Sequence, residues 1–107
     1  MSAINEVEQL VLLALARLGE EAYGVSVRRV IEEHGGRPVS MAAVYNALDR
    51  LERRGYATAW LSAPTAERGG RAKKHFRMTP AGADALRTAR AAMDRMWDGL
   101  DPARLVG

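Results

Sequence analysis

Residues 39–55, VSMAAVYNALDRLERRG, combine an apolar stripe with a polar face that could bind an anion. The apolar side chains recur at the three- and four-residue intervals of one buried helical face, at Met41, Val44, Leu48 and Leu51. The opposite face carries an amide, a carboxylate and two guanidinium groups, at Asn46, Asp49, Arg50 and Arg53. Guanidinium groups can hold phosphate oxygens. Alternatively, an Asp49–Arg53 ion pair would leave this face as an ordinary solvated surface.

A second group of cationic side chains follows in residues 67–77, ERGGRAKKHFR, around a Gly-Gly pair. This group comprises Arg68, Arg71, Lys73, Lys74 and Arg77. Residues 37–77 hold nine Lys or Arg against three acidic residues, a net charge of +6, whereas residues 1–36 carry −3 and residues 78–107 are neutral. Such an excess favours a polyanionic partner. The alternative is an edge hairpin whose lysines oppose aggregation.

Candidates for catalysis or metal binding are few. The sequence has no cysteine, which excludes disulfides, thiolate metal sites and cysteine nucleophiles. His34 and His75 lack an accompanying nucleophile or a metal-ligand spacing, and no Gly-rich phosphate loop follows a predicted strand. We therefore expect no enzyme activity, no metal site and no cofactor.

The helices that position these side chains are predicted from apolar spacing and from capping residues. A first helix is expected over residues 4–18 and a second over about residues 24–34. Gly35 is expected to end the second helix in a left-handed conformation. Ser40 can cap the third helix, and Gly55 ends it.

After the third helix the apolar period changes to two. YATAWLS (residues 56–62) and KKHFRMT (residues 73–79) predict two strands, with Trp60 packed under the hairpin. Thr79 as cap, with proline at the first helical position, begins a last helix that should run to about Leu100. The 107 residues therefore predict one mainly α domain with a small β-hairpin: three helices, a two-stranded hairpin and a long C-terminal helix.

The second and third helices have the size of a helix-turn-helix, in which the start of the later helix faces base edges in the major groove of DNA. That start is small or apolar, which allows close approach, and an asparagine one turn later can pair with adenine. The candidate DNA contacts on this helix are Ser40, Met41, Ala42, Ala43, Tyr45, Asn46 and Arg50. In the basic hairpin, which could follow the backbone or enter the minor groove, they are Arg68, Arg71, Lys73 and Lys74.

The last helix carries a second apolar stripe, with three- and four-residue spacing typical of a coiled-coil seam, at Leu86, Ala89, Met93, Met96 and Leu100. We expect this stripe to form a homodimer interface together with the apolar first helix, although it could instead fold back onto its own core. Met93, Met96 and Trp97 could line an adaptable pocket for a small hydrophobic or aromatic effector. Alternatively, the indole completes the dimer core.

Three segments together resemble the winged-helix domain of the PadR family of bacterial transcription regulators: AYGVSVRRV, VSMAAVYNALDRLERRGY and GGRAKKHFRMTPAGADAL. The resemblance covers roughly residues 8–90. It implies a dimeric DNA-binding protein, usually a repressor, with the hairpin as the wing. It also implies a DNA-binding domain over residues 1–78 and a dimerisation helix over residues 79–107, packed as one unit.

Residue by residue, the resemblance adds Tyr23 at the start of the second helix as a contact to the DNA backbone. Many members have Gly and then Thr or Ser where this chain has Ala42 and Ala43. That difference removes a hydroxyl contact, so the operator of a relative does not transfer to this chain.

Two other classes of binding protein compete with this interpretation. A protein–protein adaptor with a winged-helix shape would not need the +6 charge of the middle segment, and an RNA-binding sheet would need several stacking aromatics. The longest apolar run, residues 10–16, is too short to span a bilayer, and no signal peptide is visible. We therefore expect a bacterial cytoplasmic protein, bound to the nucleoid when it binds DNA, with double-stranded DNA as its partner.

Overall fold

The computed structural model describes residues 3–62 and 72–106. Its main elements are α1 (Glu6–Leu18), α2 (Gly24–His34), α3 (Met41–Arg53), β1 (Ala57–Leu61), β2 (Lys74–Met78) and α4 (Pro80–Trp97). Short 3-10 turns occupy Gly19–Glu21 and Pro102–Arg104. The order and types of these elements confirm the predicted mainly α fold with a two-stranded antiparallel hairpin. In the described residues, no helix is long and apolar enough to cross a membrane.

The start of α1 is fixed by a reciprocal cap. The Asn5 side chain accepts a hydrogen bond from the Glu8 N–H, and the Glu8 carboxylate accepts one from the Asn5 N–H, both at 2.8 Å. These two bonds satisfy backbone donors that a helix otherwise leaves free at its N-terminus. The helix therefore begins at Glu6 rather than at residue 4 as predicted, and Ile4 is buried ahead of the cap.

The turn between α2 and α3 corrects one detail of the sequence prediction. Gly35 keeps a right-handed conformation (φ −81°), and its N–H donates to the Ile31 carbonyl at 2.7 Å. Gly36 is the residue with positive φ, at 70°. The hydrogen-bond ladder thus continues one residue further before glycine reverses the chain. Arg28 also braces the turn, since its Nε donates to the Val39 carbonyl at 3.0 Å.

The core lies between the first three helices and the hairpin. Its fully or nearly fully buried large side chains are Val11, Leu12, Leu15, Val27, Ile31, Val44, Leu48, Leu51 and Phe76. α1 contacts α2, α3, β2 and α4, but Leu13 remains half exposed. Met41, which sequence spacing placed on the buried stripe of α3, is only partly buried at the end of that stripe.

The hairpin is joined to the helical core through the edge of β2 that does not pair with β1. β1 and β2 pair from Ala57↔Met78 to Leu61↔Lys74. On the other edge, the Phe76 N–H donates to the Ala22 carbonyl at 2.9 Å, next to an isolated bridge between Tyr23 and His75. β2 is therefore hydrogen-bonded on both edges, and this pairing fixes the hairpin beside the start of α2.

α4 begins as predicted and ends earlier. The Thr79 hydroxyl accepts from the Gly82 N–H at 3.1 Å and donates to the Gly55 carbonyl at 2.6 Å, which ties the helix start to the end of α3. The helix stops at Trp97, three residues before the predicted end at Leu100, because Gly99 adopts a positive φ of 73°.

The two halves of α4 differ in burial. Leu86 and Ala89 are partly buried against the core, whereas residues 90–106 are exposed throughout. The alternative in which the apolar stripe folds back onto its own subunit therefore holds for its first two members and not for Met93, Met96 and Leu100.

Replacing Gly82 with alanine tests the packing of α4 on the segment after α3. A Cβ at this position would overlap the Tyr56 carbonyl oxygen, which already accepts from the Thr79 N–H. We expect Gly82→Ala to lower the free energy of unfolding by about 1–3 kcal/mol through overpacking. Helix propensity alone favours alanine by about 1 kcal/mol. Urea unfolding therefore tests the packing through the sign of the change in the free energy of unfolding. An increase in the variant would contradict this packing.

Candidate nucleic-acid interface

The exposed face of α3 carries side chains at four- and three-residue intervals: Ala42, Asn46, Asp49 and Arg53. Asp49 and Arg53 form the ion pair that was one sequence-based alternative. Within residues 3–62 and 72–106, Asn46 has no side-chain hydrogen bond, so its amide is available to an external partner. This face thus combines an internally paired charge with a free amide one turn away.

The start of α3 presents small groups. Ser40 caps the helix as predicted, since its hydroxyl accepts from the Ala43 N–H at 3.0 Å. Ala42 is exposed, while Met41 and Ala43 are partly buried. Apart from the partly buried Met41, the first turn of α3 therefore presents only small side chains.

One flank of α3 packs on the start of α2 through Tyr45. The Tyr45 ring lies so close to Gly24 that a Cβ on Gly24 would come within 2.5 Å of the ring. Glycine at this position is therefore what lets the ring lie across the first turn of α2. About half of Tyr45 remains exposed, although Cζ and the hydroxyl oxygen are the ring atoms nearest Gly24.

Lys73 and Lys74, which lie just before and at the start of β2, approach the same flank. The Lys73 ammonium lies 4.2 Å from the centre of the Tyr23 ring, and the Lys74 ammonium lies 3.0 Å from Glu52 Oε1 of α3. Tyr23 immediately precedes α2, next to the glycine that Tyr45 covers. Four predicted contact residues, Tyr23, Tyr45, Lys73 and Lys74, thus converge beside the exposed face of α3.

An aromatic stack supports this arrangement from the hairpin side. Trp60 stacks on His75 with ring centres 5.3 Å apart, and Arg77 lies over the indole at 5.1 Å. His75 Nδ1 lies 2.8 Å from the Glu20 carbonyl oxygen, so this nitrogen donates. His75 is a structural clamp that sequence reasoning did not find, because its partner lies 55 residues away.

Arg50 lies on the other flank of α3 and already has a partner. Its Nε lies 3.3 Å from Glu8 Oε2 of α1, and the Arg54 guanidinium lies 4.0 Å from the same oxygen. Glu8 is only 3% exposed, and its other oxygen accepts from the Asn5 N–H. Arg50 therefore contacts α1, whereas the sequence predicted a DNA contact; whether it also reaches phosphate stays a prediction.

Two predicted wing contacts, Arg68 and Arg71, lie outside the described residues. Among residues 3–62 and 72–106, no group of three or more His, Asp or Glu side chains is arranged to hold a metal ion. The candidate interface of the described chain thus consists of the α3 face, the residue before α2 and the start of β2.

The apolar surface of α4 is separate from this interface. Met93 is 61% exposed and Met96 is 78% exposed, with Trp97 and Leu100 also exposed beside them. An apolar groove of 480 Å³ runs between the start of α1 and the first half of α4, lined in part by Ile4, Tyr56, Ala85 and Ala89. Of the predicted stripe, only Ala89 lines this groove, and the predicted effector residues Met93, Met96 and Trp97 lie beyond it.

Comparison with known proteins gives a family and a fold. The sequence model of the "Transcriptional regulator PadR-like family" matches residues 11–88. A PadR family transcription regulator from Clostridium difficile R20291 is 18% identical, with 88% of this chain and 96% of that chain covered and a TM-score of 0.72. A PadR family transcriptional regulator from Eggerthella lenta DSM 2243 is 29% identical, with 85% and 77% covered and a TM-score of 0.68.

A third similar structure is that of BpsR from Bordetella bronchiseptica, whose DNA binding is regulated by 6-hydroxynicotinic acid. It is 23% identical, with 96% of this chain and 72% of that chain covered and a TM-score of 0.59. The comparison with curated proteins found no match. The structural neighbours share the predicted winged helix-turn-helix architecture with the described chain.

The buried carboxylate that holds Arg50 can be tested by substitution. Glu8→Ala removes the acceptor of the Asn5 N–H and of Arg50 together, and we expect a loss of about 1–3 kcal/mol in the free energy of unfolding. Glu6→Ala is the matched control, because Glu6 lies in the same helix and, among the residues that the structure describes, its side chain pairs with Arg37 alone, at the surface. Its cost should stay below about 1 kcal/mol. Equal unfolding midpoints for the two variants would refute the structural role of Glu8.

Proposed function

The chain belongs to the PadR-like family of transcriptional regulators, and from this premise we propose that it is a homodimeric, sequence-specific repressor of transcription. The observation that most directly supports the DNA-binding part of this proposal is the convergence of Tyr23, Tyr45, Lys73 and Lys74 beside the exposed face of α3. A helix fits the major groove, while neighbouring cationic and hydroxyl groups hold the phosphates on either side.

In the proposed complex, α3 reads the operator. The Asn46 amide pairs with an adenine, and the small first turn, Ser40 to Ala43, approaches base edges and thymine methyl groups. The groups proposed to hold the DNA backbone are Tyr23, Tyr45, Lys73 and Lys74, with Arg68 and Arg71 reaching the backbone or the minor groove. Arg50 is given the same role only if phosphate replaces Glu8 as its partner.

The exposed second half of α4 supports the dimer. Met93, Met96 and Leu100 form an apolar stripe that water would otherwise cover, and a second copy of the chain offers an identical stripe across a two-fold axis. Residues 1–78 then form the DNA-binding unit and residues 79–107 the dimerisation unit. Two-fold symmetry implies a pseudo-palindromic operator whose half-sites lie about one helical turn apart, or a multiple of it.

We also propose that a small hydrophobic or aromatic effector releases the DNA. Met93, Met96 and Trp97 offer soft and flat apolar surface near the proposed seam, a composition that accommodates varied apolar ligands. Regulation of BpsR by 6-hydroxynicotinic acid supports an aromatic ligand in a protein of similar fold. The site of action is then the bacterial cytoplasm, at the nucleoid, and the protein needs no catalytic activity.

Selection of bound sites from random duplexes tests operator reading. We expect an inverted repeat, and Asn46→Ala should relax the preference at one base pair per half-site, by about 1–3 kcal/mol. Lys73→Ala should instead weaken binding to all sequences alike and lower the slope of log affinity against log salt by about 0.9 for each lost phosphate contact.

The controls separate the competing explanations. An adaptor protein would bind neither the selected duplex nor a scrambled one, and its signal would not depend on salt. If Asn46→Ala left the base preference unchanged at each position, Asn46 would not be a reading residue. Binding to single-stranded RNA in preference to duplex DNA would contradict the proposed function itself.

The proposed dimer seam can be tested by introducing a charge. Met93→Lys should convert the dimer into a monomer, because a charged group in an apolar interface loses its hydration. Ala91→Lys is the matched control, since Ala91 is exposed on the opposite side of α4 from the stripe. Molar mass is measured by light scattering after gel filtration. A Met93→Lys variant that stays dimeric would place the interface elsewhere.

A further inference from the structure

Two carboxylates lie within the proposed DNA-binding surface. Asp49 lies on the exposed stripe of α3 and is paired with Arg53, one turn further along the helix. Glu52 lies on the Tyr45 flank and holds the Lys74 ammonium at 3.0 Å. The two acidic side chains are 50% and 36% exposed. In the free subunit, two cations of a surface that faces a polyanion are therefore already neutralised.

These ion pairs are not what holds the hairpin and α3 in place. The hairpin is fixed by the Phe76–Ala22 backbone hydrogen bond and by the His75–Glu20 contact. Asp49 and Arg53 lie in one helix, which its caps and buried face already stabilise. Exposed ion pairs contribute little to stability, because water screens them and the long side chains lose conformational freedom. We therefore expect the two ion pairs to affect the affinity for anionic ligands more than the stability of the fold.

A carboxylate beside a cation competes with phosphate for that cation. Phosphate must displace Asp49 from Arg53, and Glu52 from Lys74, before either cation can contribute fully to binding. Sequence-independent binding consists almost wholly of such phosphate contacts. It therefore loses affinity with each cation that is held by the protein itself, whereas base contacts by Asn46 do not depend on these pairs.

We propose that Asp49 and Glu52 limit non-specific DNA binding by holding Arg53 and Lys74 in intramolecular ion pairs. This inference rests on the proposed function, because it concerns the same surface. It assigns a role in discrimination to two acidic residues that make no contact with phosphate. Without these residues, the protein would be retained more strongly on any duplex, whatever its sequence.

The experiment measures binding to a duplex of scrambled sequence over a series of salt concentrations. Asp49→Asn and Glu52→Gln keep side-chain size and remove the charge. Each should tighten non-specific binding by about twofold to fivefold per subunit, the range of one exposed ion pair. The salt slope should steepen by about 0.9 for each cation that gains a phosphate. Unchanged helical circular dichroism confirms that the variants are folded.

Asp84→Asn is the matched control. Asp84 pairs with Arg87 at 2.8 Å on α4, and both side chains are more than three-quarters exposed. The substitution makes the same change in net charge, but away from α3 and the hairpin. It should leave affinity for the scrambled duplex unchanged. A gain as large as that of Glu52→Gln would mean that net charge alone acts, and would overturn the proposal.

A double-mutant cycle separates competition for the cation from simple repulsion of phosphate. In a Lys74→Gln background, Glu52→Gln should have no further effect, and in an Arg53→Gln background the same holds for Asp49→Asn. If the gain persists in full when the cation is absent, the carboxylates act by repulsion and the proposal is wrong.

The same titration distinguishes failure of the inference from failure of the proposed function. A wild-type protein that binds neither scrambled nor selected duplex at low salt overturns the proposed function, and this inference with it. A wild-type protein that binds with a steep salt slope, while Asp49→Asn and Glu52→Gln behave like Asp84→Asn, overturns only the inference.

Discussion

The candidate interface depends on the pairing of β2 with the segment before α2. The Phe76 N–H reaches the Ala22 carbonyl at 2.9 Å, and the Phe76 side chain is buried in the core. This pairing brings Lys73 over Tyr23, which immediately precedes α2. A separate two-stranded hairpin would be only marginally stable in water. The hairpin can therefore contribute to the interface because the backbone just before α2 pairs with β2 and holds the hairpin beside the helices.

Charge is distributed unequally around α3. On the side that faces α1, Arg50 contacts a buried carboxylate, while on the exposed stripe and the hairpin side the acidic partners, Asp49 and Glu52, are partly exposed. Glu8, the partner of Arg50, is therefore shielded from water and held by the cap of α1. The carboxylates that pair with Arg53 and Lys74 are accessible to solvent, so ions in solution can compete for these two cations. Net charge alone, +3 for the chain, does not reveal this difference.

The sequence predicted the elements well because each depends on local spacing and capping. Ser40 and Thr79 cap the helices that were assigned to them, and both strands appear where the apolar period changes to two. Local patterns did not decide which glycine after α2 takes positive φ, since Gly35 and Gly36 are chemically identical neighbours. Nor did they predict the end of α4, where a left-handed Gly99 interrupts an apolar stripe that continues to Leu100.

The candidate site was predictable for residues on one helix face and not for contacts between distant segments. Asn46 and Tyr45 follow from the periodicity of α3. The Glu8 contact of Arg50 joins residues 42 positions apart, and nothing in the local spacing around either residue indicates the other. A signal was nevertheless present: Glu8 lies on the same side of α1 as Val11, Leu12 and Leu15, where an acidic residue requires a partner.

The length of α4 has a mechanical consequence for the proposed dimer. Its 18 residues span about 27 Å, and its first turn is hydrogen-bonded to the end of α3 through Thr79 and Gly55. If the C-terminal end of α4 is held in the dimer, a rotation of the helix by about 10° moves its N-terminal end by about 5 Å. This displacement exceeds the base-pair rise of about 3.4 Å. A small change in the angle between the two α4 helices would therefore move both α3 helices out of register with the major groove, without any rearrangement inside either DNA-binding unit.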